Sequence, residues 1–179
     1  MGKIINNNTP FSVKTSENLI ASNYGQWSYI LKFDDFELSE KSSIKIGYDL
    51  RCGLDYSDFP QYSNPSDPNY ITLNHPKTVE INVKCFASHH HKKNSAEDVQ
   101  IDSESYCWRD VCKSFISLNL HIIELELISG KLNRGEIVQV VVGDKSSGSP
   151  GMILPSQACD CWVHWAFIYK DDSKYPVLL

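Results

Sequence analysis

Three adjacent imidazoles, His89, His90 and His91, stand beside Lys92 and Lys93 in a polar stretch, where neutral imidazoles can capture a transition metal. A solvated loop is the expected outcome for so polar a tract. The chain also carries 6 cysteines: Cys52 and Cys85 stand alone, Cys107 and Cys112 lie in CWRDVC, and Cys159 and Cys161 lie in CDC. Structural zinc sites use matched pairs of ligands at short spacing, and CDC and CWRDVC do not make two such pairs. An even count could mean three disulfides in an exported protein. The N-terminal MGKIINNNTPFS lacks the apolar core of a secretory signal, so reduced, buried thiols are expected instead. These residues therefore predict no metal centre and no cofactor. His121 and His164 fall in strand-like runs, where a core or hydrogen-bonded histidine is expected, and His75 precedes Pro76 in a turn.

Two other segments hold the groups best suited to binding. RCGLDYSDFPQYSNPSDPNY presents the amides and carboxylate of Gln61, Asn64, Asp67 and Asn69 with the flat faces of Tyr62 and Tyr70. Pro60, Pro65 and Pro68 restrict its backbone and predict an ordered surface loop. GDKSSGSPGM presents Asp144, Ser146 and Ser149 among glycines that permit backbone conformations closed to other residues. If the two loops converge, with Gln157 near the start of the next strand, the mixture suits a polar organic ligand or the rim of a neighbouring domain's active site. The plainer reading is that Asp144, Asn64 and Asn69 satisfy backbone amides in their own turns. A pure interaction module would instead use Tyr56, Phe59, Tyr62 and Tyr70 as aromatic anchors. No Gly-rich phosphate loop, HExxH or GxSxG signature occurs in the sequence, which lowers the expectation of an enzyme.

The elements that must position these loops read as strands. Trp27, Tyr29, Leu31 and Phe33 alternate with polar partners, as do Ile44, Ile46 and Tyr48. In TVEINVKCF, Val79, Ile81, Val83 and Cys85 take one face, with Glu80, Asn82 and Lys84 on the other. FISLNLHIIELELISG changes phase between Ile122 and Ile123, which predicts a β-bulge or a bend. IVQVVVG is nearly continuous and reads as a strand buried on both faces, so Asp at either Val140 or Val141 is expected to unfold the domain. The last strand falls within CWVHWAFIY, with Trp162, His164, Ala166 and Ile168 on one side. About seven or more strands at this spacing predict an all-β antiparallel sandwich. Residues 1–16 read as an N-terminal arm and 17–179 as one domain, with 88–114 an inserted polar loop that could hold a short helix around Ser105 to Lys113.

Composition sets the outer bounds. The 179 residues are 41% hydrophobic with a net charge of −5, enough apolar material for one packed domain and too acidic for general nucleic-acid binding. No run approaches the roughly 18 apolar residues of a membrane span, so a soluble, cytoplasmic chain is expected.

Taken together, Trp27, Pro60-Gln61, Asp67-Pro68-Asn69-Tyr70, Gly143-Asp144, Gly148, Pro150-Gly151-Met152 and Gln157 recur here in an order that resembles the N-terminal β-rich region of the DUF3604 family, the CehA/McbA-like metallohydrolases. The resemblance spans residues 24 to 172. In that family the metal ligands belong to a downstream hydrolase domain, and this sequence ends at YPVLL. The resemblance thus implies a non-catalytic domain acting in packing, substrate gating or ligand binding, with a hydrolase domain or another protein as partner. The family's aromatic residue and Glu after the Gln are replaced by Ala158, Cys159 and Asp160, and Asp160 joins the candidate ligand-binding residues as a possible substitute acid. The SHHHKKNSAEDVQ tract is a further departure. The alternative expectation is a free-standing small enzyme or ligand-binding protein with a pocket between the 55–70 and 143–157 loops.

Overall fold

Trp27, Tyr29, Leu31 and Phe33 are all buried while Ser28, Ile30 and Lys32 between them are partly exposed, so alternation in sequence becomes alternation of faces. The same holds along Ile44, Ile46 and Tyr48, each fully buried. The computed structural model describes residues 10–15, 18–49, 60–88, 120–154, 163–170 and 177–179. Among them are eleven strands: β1 Phe11–Thr15, β2 Tyr24–Gly25, β3 Trp27–Lys32, β4 Ser43–Asp49, β5 Ile71–Asn74, β6 Glu80–Ser88, β7 Leu120–Ser129, β8 Ile137–Val142, β9 Met152–Ile153, β10 Val163–Tyr169 and β11 Val177–Leu178.

The protein is all-β, with strands pairing antiparallel throughout these sheets. A four-stranded sheet runs β1-β3-β8-β5, a five-stranded sheet runs β11-β10-β4-β7-β6, and β2 with β9 forms a short ribbon. The two larger sheets face each other across one core that joins Trp27, Tyr29, Leu31, Val138, Val140 and Val142 to Ile44, Ile46, Tyr48, Ile123, Leu125 and Ile168. Trp27 meets Tyr48 edge-on across the gap, ring centroids 5.6 Å apart. This is the sandwich expected from the sequence.

Several sequence expectations change. Phe11–Thr15, read as part of an arm, is an edge strand paired with β3 from Phe11↔Leu31 to Thr15↔Trp27. β7 shows no break between Ile122 and Ile123: His121, Ile123, Leu125 and Leu127 point inward in one phase, and Ile122 is an outward residue that is nevertheless buried. The register shift lies at the other end, where Glu80 pairs with Ser129 and Ile81 with Leu127, leaving Ile128 as the extra residue. β8 is central in its sheet but is not dry on both faces, since Ile137 is 50% exposed and Gln139 half-buried. The short helix expected near Ser105–Lys113 lies outside the described residues, as do His89–His91 and every cysteine except Cys85; no helix occurs among those described. Among the described residues no helix is long and apolar enough to cross a membrane.

On the outer face of the five-stranded sheet, β4 has glycine where β10 places an aromatic. A Cβ at Gly47 would sit 1.9 Å from the Trp165 ring, so the indole packs flat over the backbone only because the side chain is absent. In the same sheet the inward row His121–Tyr48–His164 runs across β7, β4 and β10.

Candidate functional site

The chain leaves β8 at Gly143 and returns to the same line at Gly151 before β9, so that 143–151 is an excursion beyond the end of a central strand. Both glycines have positive φ, 69° and 118°, and a Cβ on either would press within 3.0 Å of the Gly25 carbonyl oxygen. Those contacts explain why the loop begins and ends on glycine. Asn69 holds the other loop against it. Its amide donates to the Gly151 carbonyl (2.9 Å), its side-chain Oδ1 accepts from Ile153 N (2.8 Å), and its own carbonyl accepts from Gln61 N (2.9 Å). Asn69 is itself in the left-handed region at φ 66°, which asparagine tolerates better than most residues.

Asp144 joins the same seam. Its amide donates to the Tyr70 carbonyl (2.9 Å), and its carboxylate accepts from the Thr72 hydroxyl (2.6 Å), the Ser146 amide (2.9 Å) and the Ser146 hydroxyl (3.0 Å). Partial burial pushes the Asp144 carboxyl upward, but those three donors more than offset it and hold it below the usual carboxylate range. Gln61 organises the other loop: its Oε1 accepts from the amides of Ser63 (3.0 Å) and Asn64 (2.8 Å), and its Nε2 donates to the carbonyl of Asn64 (2.7 Å). Asn64 Nδ2 donates to Asp67 (2.6 Å), and Ser149 Oγ accepts from Gly151 N (3.1 Å).

The two loops therefore do converge, and most of their polar side chains are engaged with each other and with turn backbone. Gln61, Asn64, Asn69, Asp144 and Ser149 build the platform. Gln157 and Asp160 lie outside the described residues, as do Tyr56 and Phe59. What the platform displays is aromatic: Tyr62 is 47% exposed and stacks on Tyr70 with ring planes 16° apart and centroids 6.5 Å apart.

Beneath Tyr62 an open cleft of about 320 Å³ separates the loop from the edge of the other sheet. Pro60, Gln61, Tyr62 and Ser63 form one wall, and Val83 and Cys85 of β6 form the other. Its size reaches the lower end of the range for small-molecule sites, about 300–1,000 Å³. Sequence reasoning missed the β6 wall, because Val83 and Cys85 looked like ordinary inward residues. Their signal was position: β6 is the last of the described strands in its sheet, and its inward residues are only half-buried.

A second cluster of titratable side chains lies within the core. Tyr48 and His164 face Trp27 and Tyr29, His121 packs edge-on against Tyr48, and the Tyr29 hydroxyl lies 2.9 Å from His164 Nδ1. Burial lowers both imidazoles from 6.5 to about 4. Burial likewise pushes both phenols well up and the Cys85 thiol up to about 12. All these groups are held neutral near pH 7, which suits packing better than proton transfer or nucleophilic attack. The Tyr48 hydroxyl is buried with no hydrogen-bond partner among the described residues. Tyr48→Phe is accordingly expected to raise stability by about 1 kcal/mol, seen as a Tm increase of a few degrees. A lower Tm would mean that the hydroxyl is bonded in solution.

Among the described residues no three His, Cys, Asp or Glu side chains gather as a metal site. No family model matches the chain, and neither curated proteins nor solved structures give a match. The resemblance to the metallohydrolase family rests on the quoted residues alone.

Proposed function

We propose that this chain is a non-catalytic recognition domain whose receiving surface is the cleft between the Pro60–Ser63 loop and β6. The observation that carries the reading is the exposed Tyr62 ring, braced by Tyr70, at the mouth of a cleft with mixed walls. A flat aromatic face, the hydroxyl of Ser63 and the apolar surface of Val83 suit an organic ligand or protein segment with both polar and apolar groups. The bonded seam of Asn69, Gln61 and Asp144 supports the reading too, because a platform that is already ordered loses little conformational entropy when it binds. A role beside a hydrolase domain, as the family resemblance suggests, would use the same surface.

The test is amide shift mapping of the isotope-labelled chain against a panel of monosaccharides, nucleosides and short peptides. Shifts should group at Gln61–Ser63, Tyr70 and Val83–Cys85. If no compound moves these amides, or the shifts scatter over both sheets, the cleft is not a recognition site.

A further inference from the structure

The wall of the cleft formed by Val83 and Cys85 belongs to an edge strand. β6 is 9 residues long and pairs with β7 along one side, from Glu80↔Ser129 to Ser88↔Leu120. It ends the order of the five-stranded sheet, and no other described strand pairs with its far side. An open strand edge offers a row of backbone donors and acceptors that only another extended backbone can satisfy in full. The opposite sheet treats its corresponding edge differently. β5 has 4 residues, and the chain at its head is already occupied: Ile71 N donates to the Gln61 carbonyl at 2.9 Å, and Gln61 bridges to Tyr70 in parallel.

The geometry points to β6 as the docking edge for an extended peptide segment that adds as a sixth strand and places an apolar side chain in the cleft. This rests on the reading of the cleft as a recognition site and names its occupant. A strand added to β6 would lie about 4.8 Å beyond it. Its inward side chains would then fall beside Val83 and Cys85, under Tyr62, where the cleft is. Main-chain bonds supply affinity in this mode of recognition, and the pocket for alternate side chains supplies choice of partner.

The outward face of β6 and β7 sets the charge of the partner. Glu80, Glu124 and Glu126 lie there with Lys84, which is held by Glu126 at 2.8 Å, while Lys45 from β4 takes Glu124 at 3.3 Å. That leaves Glu80, whose carboxylate accepts from the Ser129 hydroxyl at 3.2 Å, without a cation among the described residues. The peptide that fits therefore carries a Lys or Arg facing outward opposite Glu80 and a branched aliphatic or aromatic residue facing inward. In an extended chain these fall an odd number of positions apart, because neighbours alternate faces.

The experiment uses the full chain, isotope-labelled, and a capped peptide of 9 residues, the length of β6, in which valines alternate with lysines and threonines. Two further peptides carry N-methyl groups on alternate backbone nitrogens, one in each phase. The parent peptide is expected to shift the Glu80–Ser88 amides and to slow their hydrogen exchange. One N-methylated phase should lose binding by about tenfold or more and the other should keep it, because only one edge of the peptide faces β6. Glu80→Lys should weaken the lysine peptide and favour the same peptide with glutamates in place of lysines.

Equal binding by both methylated peptides, or no binding by the parent, would overturn the strand-addition proposal. A concentration-dependent dimer that protects β6 without peptide would overturn it as well, by making a second copy of this chain the occupant. Failure here with a positive small-molecule panel leaves the cleft a recognition site for another ligand. Failure of both removes the cleft reading itself.

Discussion

Val140→Asp is expected to leave the chain unfolded near room temperature, whereas Val141→Asp, one position on, is expected to fold. Val140 is fully buried at the centre of β8, between Tyr29 of β3 and Leu73 of β5. A carboxylate there would be buried in the apolar core beside Tyr29 and Leu73, with no Lys or Arg among the described core residues to meet it. Burying an unpaired charge costs several kcal/mol even after relaxation, against a total stability of about 5–15 kcal/mol. Val141 points the other way, between Ser28 and Thr72, and is still mostly covered at 9% exposure. A carboxylate there can turn toward solvent at the outer face, so the loss should be smaller, about 1–3 kcal/mol. The sequence reading treated the two valines alike because an unbroken apolar run hides which residues face in. Circular dichroism and urea titration of both variants decide the matter; similar curves would mean that β8 is not oriented as described.

Acidification from pH 6.5 towards 4 should steadily destabilise the native chain, beginning before its carboxylates are protonated. His121 and His164 have folded values near 4 against 6.5 when unconstrained, in each case through burial. Below about pH 6.5 the unfolded chain takes up protons at these rings while the folded chain does not, so stability falls as pH drops from 6.5 towards 4. Above pH 6.5 the contribution is complete and flat. The depression corresponds to about 3 kcal/mol for each ring at the acid end, enough together to remove much of a typical domain's stability. For His164 there is a geometric reason as well, since a neutral Nδ1 can accept from the Tyr29 hydroxyl and a protonated one cannot. Urea midpoints measured at about pH 7, 5.5 and 4.5 should fall steeply. His121→Phe should remove close to half of that slope. A midpoint that stays level through this range would show that the rings are hydrated or already charged in the folded protein.

The scaffold was legible wherever a strand has one wet face. β4 alternates throughout, and β3 and β6 do so apart from Ile30 and Phe86 at outward positions; the inward residues match the observed faces. β7 was misread for a physical reason. His121 occupies an inward position and Ile122 a covered outward one, so residue type and side disagree at the point where a phase change was expected. β1 and β5 escaped notice because edge strands of four or five residues carry too few inward positions to make a pattern.

The candidate site was half legible. The sequence reading picked out the two loops and left their meeting as a condition, and Asn69 and Asp144 do join them. The roles came out differently, because amides and carboxylates in Gly- and Pro-rich turns are drawn first to nearby backbone donors. Gln61 and Asp144 build the platform, and Tyr62 is what it displays. The β6 wall could not be read from local sequence, since it depends on which strand ends the sheet.

The central claim, that Tyr62 and the cleft beneath it form a recognition surface, is tested most directly by comparing Tyr62→Ala with Gln61→Ala for thermal stability and for affinity towards the best binder of the compound panel. Tyr62 is largely outside the core, so Tyr62→Ala should change Tm by no more than about 2 °C while weakening binding about tenfold or more. Gln61→Ala should lower Tm, because it releases loop amides that its side chain now holds. Unchanged affinity in a folded Tyr62→Ala chain would contradict the claim.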